Sequence, residues 1–236
     1  MSFRENNGLP DETYAVRTIA RLYGDFPDKF GIPRQSGLVP GLLSKIVFEP
    51  EFRDPNALRG LDGWSHIWLL WLFSGNPREK WSPTVRPPRL GGNERVGVFA
   101  TRSPFRPNGI GLSSVKLEKI ERTETDGTIL WVSGADLMDG TPIIDIKPYL
   151  PFADSHPEAS GGFSSGVFGK KLTVEIPETL KERLSPDKLD ALREVLEEDP
   201  RPAVQDDPEK VYGMRFSDKE VKFVVSDGVL RVTEII

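Results

Sequence analysis

The sequence predicts a mainly β protein, with a single-sheet β-barrel in the N-terminal domain and a small α+β C-terminal domain. Three observations carry this reading. Short apolar runs recur between turns, and 22 glycines and 21 prolines are spread along the 236 residues, which favours many short strands over long helices. Helical periodicity is almost absent before residue 177, and strands with no helices to cover them close into a barrel. The chain also exceeds the usual size of one domain, so one large and one small unit are expected. The boundaries read as 1–157 for the barrel, 158–169 for a linker and 170–236 for the second domain.

In chain order, the first 13 residues are polar and read as a loose tail. Tyr14 to Leu22 predicts a first strand, and Asp25 to Pro40 a long Gly- and Pro-rich loop containing Pro33, Arg34 and Gln35. Loops of that length inside a domain tend to be functional or disordered. Lys45 to Phe48 reads as a short strand and Asn56 to Leu61 as a helical turn. Trp64 to Phe73 is a nearly continuous apolar run, which predicts a core strand covered on both faces. Arg95 to Thr101, Leu112 to Ile120 and Thr128 to Ala135 follow as strands, the last two joined at Asp126-Gly127, a strong hairpin signal. Asp136 to Pro142 reads as a turn and Ile143 to Ile146 as a strand. In the C-terminal domain, Leu172, Val174 and Ile176 alternate as a strand. Ser185 and Pro186 then supply an N-cap and first helical position. Leu189, Leu192 and Leu196 recur at helical spacing up to Asp199-Pro200. Val211 to Phe216, Lys219 to Val225 and Val229 to Ile236 complete the domain as strands, with a turn at Asp227-Gly228.

The chemistry concentrates between Thr84 and Gly111. These 28 residues hold five arginines, Arg86, Arg89, Arg95, Arg102 and Arg106, with no lysine and a single acid, Glu94. The stretch carries +4 in a chain whose net charge is −5, so the remainder stands at −9. Arginine presents a rigid planar fork of donors that matches phosphate and carboxylate and stacks on bases, whereas lysine is a flexible point charge. Prolines at 87, 88, 104 and 107 and glycines at 91, 92, 97, 109 and 111 make this a shaped loop rather than a helix. The same composition also describes an ordinary β-hairpin with solvated arginines.

Several function classes lack their residues. With no cysteine there is no thiolate nucleophile or thiolate metal site, and two histidines, His66 and His156, do not make a multi-histidine zinc site. There is no strand running into a GxGxxG turn, no GKS or GKT phosphate loop and no nucleophile elbow in a strand-turn-helix context. The N-terminus does not read as a signal peptide, and the run Ile67 to Phe73 is too short to span a bilayer. A cytoplasmic protein without membrane contact is expected.

The residues Gly97-Val98-Phe99-Ala100-Thr101-Arg102-Ser103-Pro104-Phe105-Arg106-Pro107-Asn108-Gly109-Ile110-Gly111 resemble the signature of the TsaA-like, or TrmO, family. Pro33-Arg34-Gln35, Ser65-His66-Ile67-Trp68, Arg86-Pro87-Pro88-Arg89, Asp139-Gly140-Thr141-Pro142 and Asp145-Ile146-Lys147-Pro148-Tyr149 fall in the order that family shows. The resemblance covers Tyr14 to Pro157, and the C-terminal unit is similar to the small extra domain of the bacterial members. It implies an S-adenosylmethionine-dependent tRNA methyltransferase on a β-barrel, acting as a homodimer on N6 of threonylcarbamoyladenosine beside the anticodon. No metal is implied.

Carried onto this chain, the resemblance makes Arg102 a cofactor residue, suited to the cofactor carboxylate. Pro33, Arg34, Gln35, Leu112, Asp136, Leu137, Asp139, Gly140 and Thr141 would supply partners for its ammonium, ribose and adenine. Ser74 and Gly75 complete the set, smaller than the polar side chains of the family there. Arg86, Arg89, Arg95 and Arg106, with Asn108, Lys147 and Tyr149, form the substrate-binding set, and the anticodon loop of tRNA is the partner. His66 and Asp139 are the candidates for removing the N6 proton. Two other readings stand beside this one: a non-catalytic RNA-binding barrel, and a metal-assisted hydrolase using Asp136, Asp139 and Asp145.

Overall fold

A computed structural model of the chain describes residues 13–75, 81–87, 90, 94–166, 171–202 and 207–236. Among its described residues the first unit holds eight strands: β1 (Ala20–Tyr23), β2 (Leu43–Phe48), β3 (His66–Leu72), β4 (Thr84–Val85), β5 (Val96–Gly97), β6 (Ile110–Thr123), β7 (Gly127–Ser133) and β8 (Thr141–Pro148). Six of them close into an antiparallel barrel in the order β1-β2-β7-β6-β3-β8, while β4 and β5 pair separately as a ribbon. Successive side chains on a strand face opposite sides. Ile67, Leu69 and Trp71 of β3 therefore point inward together, against Leu22, Ile46, Val115, Leu130, Val132 and Ile143. Burying each of these contributes about 1.5–3 kcal/mol relative to exposure.

The predicted strand over Tyr14 to Leu22 is confined to Ala20–Tyr23. Tyr14 and Val16 are exposed and have no ladder partner, because the pairing with β2 and β8 begins at Ala20. The apolar run expected to be covered on both faces is fully buried only on its inner face; Trp68, Leu70 and Leu72 outside are half-buried. Arg95 to Thr101, expected as one strand, keeps two strand residues and then turns through the 3₁₀ helix Val98–Ala100. The hairpin at Asp126-Gly127 forms as expected, with Gly127 at φ +72°.

The second unit comprises β9 (Thr173–Glu175), β10 (Tyr212–Phe216), β11 (Lys219–Ser226) and β12 (Val229–Ile235) in a sheet ordered β10-β11-β12-β9. The α-helices among the described residues are α1 (Pro151–Asp154) after the barrel, α2 (Glu178–Lys181) and α3 (Pro186–Glu197). Helix α3 starts where Ser185-Pro186 places it, yet the Ser185 hydroxyl makes no capping bond. Its Ala191, Leu192, Val195 and Leu196 are buried against Tyr212, Phe216, Phe223 and Leu230.

The long loop from Asp25 to Leu42 belongs to the barrel by sequence and to the second core by packing. Phe26, Val39 and Leu42 are buried among the residues of α3 and the second sheet, with Phe26 edge-on to Phe216 at 5.7 Å between ring centres. Asp25, 6% exposed, takes both carboxylate oxygens to Lys188 Nζ of α3, at 2.5 and 2.6 Å. The Gly41 N–H donates to Glu194 Oε2 at 2.8 Å, and the Ser217 N–H to the Asp25 carbonyl at 2.7 Å. Gly31 sits at φ +90°, where a Cβ would stand 2.0 Å from Met214 Sδ, so only glycine lets the loop lie this close to β10. The loop is thus ordered by the C-terminal unit, which fixes the wall it presents to the barrel rim.

Candidate functional site

A cavity of about 500 Å³ opens at the end of the barrel where β3 finishes and β6 begins, within the usual range for small-molecule sites. Four segments surround it. The loop contributes Ile32, Pro33, Arg34 and Gln35; the rim contributes Trp71 to Gly75 and Ile110 to Leu112; the arginine-rich stretch contributes Thr101, Arg102, Pro104 and Arg106; and the β7–β8 turn with the first residue of β8 contributes Asp136, Leu137, Met138 and Thr141. Strand pairing explains the convergence of rim and stretch: Leu72 faces Ile110 and Trp71 faces Gly111 in the β3–β6 ladder. A Cβ at Gly111 would fall 2.2 Å from Trp71 Cε2, so glycine lets the indole lie flat across the neighbouring strand.

Among the described residues, Asp136 is the one carboxylate on this lining. Its Oδ1 accepts from Ser113 Oγ at 2.6 Å, and Ser113, 0% exposed, accepts from Trp71 Nε1 at 2.9 Å. An indole N–H only donates. The serine lone pair is therefore occupied by Trp71, and its proton is directed at Asp136. Burial pushes the Asp136 carboxyl above the ordinary carboxylate range, against the Ser113 hydrogen bond and the nearby Arg102 charge, which pull it down. Arg102 donates to Gln35 Oε1, which ties it to the loop wall, and among the described residues it makes no ion pair. Arg106 is turned inward on its own turn, donating to the carbonyls of Thr101 and Ser103 at 2.8 and 3.3 Å.

Most of the expected cofactor residues thus meet in one hollow: Pro33, Arg34, Gln35, Ser74, Gly75, Arg102, Leu112, Asp136, Leu137 and Thr141. Asp139 and Gly140 do not line it. Asp139 Oδ1 accepts from the Gly24 N–H at 3.0 Å, and the Gly140 carbonyl accepts from Arg21, so both fasten the turn to β1. His66 lies at the opposite end of β3, five residues or roughly 17 Å of strand from Trp71. Lys147 is opposite Trp68 in the ladder, and the Tyr149 N–H donates to the His66 carbonyl, so these two gather at the far end with His66. Arg86, Arg95 and Asn108 lie outside the cavity lining, and Arg89 lies outside the described residues. The three acids weighed as a metal cluster are separated by role: Asp136 in the cavity, Asp139 on Gly24 and Asp145 paired with Lys147 at 2.7 Å.

Sequence reasoning missed Lys29, Ile32, Trp71, Phe73, Thr101 and Met138 as lining residues, along with Ser113 behind Asp136. Trp71 and Phe73 read as packing, which they also are, edge to face at 4.3 Å. Ser113 carried a signal: a hydroxyl at an inward position of an apolar strand needs a partner.

The hollow offers guanidinium groups, a half-buried carboxylate and apolar walls from Ile32, Leu112 and Leu137. That set suits a ligand carrying a carboxylate, a cationic or hydroxyl-bearing portion and a flat apolar group. Residues 21–155 match the family described as tRNA-methyltransferase O N-terminal domain, and residues 169–236 match the TrmO C-terminal domain. The chain belongs to the TrmO family. A tRNA (adenine(37)-N6)-methyltransferase of Escherichia coli strain K12 is 39% identical, over 93% of this chain and 97% of that protein. A Pseudomonas aeruginosa relative provisionally named an S-adenosylmethionine-dependent methyltransferase is 42% identical over 89% of this chain and 91% of its own. A crystal structure of TrmO from Pseudomonas aeruginosa superposes with a TM-score of 0.77 at 36% identity, covering 95% of this chain and 97% of that one. In this TrmO-family chain, no helix among the described residues is long and apolar enough to cross a membrane.

The half-buried Asp136 gives a test that needs no substrate. An acid whose pKa is raised by folding stabilises the fold fully below its unfolded-state pKa, and that contribution is lost as pH rises through the folded value. Asp136→Asn, always neutral, should therefore raise the unfolding temperature at neutral pH. The gain should vanish below the ordinary carboxyl range, where wild type is already protonated. A pH-independent difference in calorimetric unfolding would refute the buried-charge account.

Proposed function

We propose that this chain is an S-adenosylmethionine-dependent tRNA methyltransferase that methylates N6 of adenine 37, and that the rim cavity holds the cofactor. The observation that carries the reading is the joining of Arg102, Asp136 and the Pro33–Gln35 wall around one hollow, from three segments far apart in sequence. The residues present fit such a cofactor. Arg102 suits its carboxylate, Asp136 its ammonium or ribose hydroxyls, and Ile32, Leu112 and Leu137 its adenine. When bound, the cofactor supplies a sulfonium methyl that a nitrogen can take by direct displacement.

The chain's own contribution is then to hold the acceptor in line, which converts an encounter between two molecules into a positioned reaction. In the finer reading the acceptor is threonylcarbamoyladenosine, whose carboxylate suits a guanidinium at the cavity mouth. A homodimer acting in the cytoplasm completes the proposal. His66 and Asp139, at the far end of β3 and on Gly24 respectively, have no part in this cavity. The experiment is in vitro methylation of tRNA with isotope-labelled S-adenosylmethionine, followed by nucleoside mass spectrometry. Label should appear in the threonylcarbamoyl nucleoside of substrate tRNA. Label elsewhere, or none, defeats the proposal, and full activity in a chelator excludes the hydrolase-like alternative.

A further inference from the structure

The ribbon β4–β5 leaves the barrel beside the cavity and carries a pattern the cavity does not use. At its base Trp81 and Phe99 stack, 6.4 Å between ring centres and 24° between planes, though they are 51% and 72% exposed. Val98, next to Phe99, is buried, and its N–H donates to the Pro83 carbonyl at 3.0 Å. A rigid backbone thus presents two rings to solvent. Toward the tip, the ladder pairs Thr84 with Gly97 and Val85 with Val96, and Arg86 and Arg95 are the next residues beyond that last pair. Both are exposed. Arg95 Nη1 donates to Thr84 Oγ1 at 3.1 Å, and among the described residues neither arginine has a carboxylate partner, unlike Arg17, Arg21, Arg201 and Arg231.

Like charges at the end of a two-residue ladder do nothing to hold it together, and exposed stacked rings gain little from burial. Neither feature serves the fold. Together they suit an unpaired RNA strand, because bases of any identity stack on aromatic faces while guanidiniums meet the phosphates. The chain continues from Phe99 through Thr101 and Arg102 into the cavity wall, so the order along the molecule is arginine pair, ring pair, cavity.

We infer that Trp81 and Phe99 form a base-stacking platform for the nucleotides flanking the target adenine, with Arg86 and Arg95 on their phosphates. This rests on the reading of the cavity as the methyl-transfer site. The partner is single-stranded loop RNA rather than duplex.

The test measures binding of an anticodon stem–loop RNA and of its duplex stem alone, alongside calorimetric titration with S-adenosylmethionine. Wild type should prefer the stem–loop. Trp81→Ala with Phe99→Ala should lower stem–loop affinity by roughly 10- to 100-fold, leave stem binding and cofactor affinity unchanged, and be partly rescued by Trp81→Tyr with Phe99→Tyr. Arg86→Ala with Arg95→Ala should flatten the dependence of log affinity on log salt by about 1.4. Unchanged stem–loop affinity in the ring variant overturns the inference. So does a loss that tracks dissociation of a self-associated protein on sedimentation, which would place a second copy on the rings. If wild type methylates tRNA and the ring variant still binds the loop fully, this inference alone falls. If wild type neither takes up the cofactor nor methylates, the reading of the cavity falls.

Discussion

Arg102→Ala should lose S-adenosylmethionine by roughly 10- to 150-fold in calorimetric titration, since a hydrogen bond to a charged group contributes about 1.5–3 kcal/mol. The expectation follows from where the guanidinium sits. It lies on the cavity lining, is held by Gln35 Oε1, and has no carboxylate partner among the described residues. Removing it takes away a ready partner for an anion without exposing any core. The unfolding temperature should therefore hardly move. Arg102→Lys should recover only part of the affinity, because an ammonium cannot present two parallel donors to a carboxylate. Wild-type affinity in the alanine variant would remove Arg102 from the cofactor site.

Lys188→Met should destabilise the protein by about 3 kcal/mol, the lower end of the range for breaking a buried ion pair, because the Lys188 side chain is itself 36% exposed while Asp25 is 6% exposed. For a chain of this size that corresponds to roughly 6–12 °C in the unfolding temperature. The site should respond as well. Asp25 anchors the loop whose residues 33–35 form the cavity wall, and Gln35 on that wall holds Arg102. A variant that keeps its fold at low temperature should therefore show a raised KM for the cofactor with kcat much less affected. Lys188→Arg should restore both, and Lys188→Met with Asp25→Asn should recover stability, since no buried charge is then left unpaired. An unchanged unfolding temperature and KM in Lys188→Met would show that the loop holds its place without α3.

Local signals account for what the sequence made legible. Asp126-Gly127 and Asp227-Gly228 marked hairpins because the turn needs positive φ, and Asp227, Gly127 and Gly228 adopt it. Pro186 marked the start of α3, while the Ser185 cap failed because side-chain capping depends on a rotamer that spacing does not set. The apolar positions from Tyr14 onward suit a strand but do not say where its pairing starts; the ladder decides that, and it begins only at Ala20. His66 looked like a site residue because it is one of two histidines and stands beside the apolar run. Only the length of β3 places it far from the cavity. Ser113 was hidden because its role depends on Trp71 and Asp136, which reach it through two different contacts of the barrel.

By itself the sequence determined that this is a β-barrel with a small α+β unit, and that five arginines gather on one Pro- and Gly-shaped stretch. Alternation, turn residues and composition are properties of neighbours along the chain. The tertiary structure decided which of those arginines face the cavity, that Asp136 is half-buried against Ser113, and that the C-terminal unit holds the loop bearing Gln35. Each of these depends on contacts between segments distant in sequence, whose geometry is set by barrel closure and core packing rather than by any local pattern.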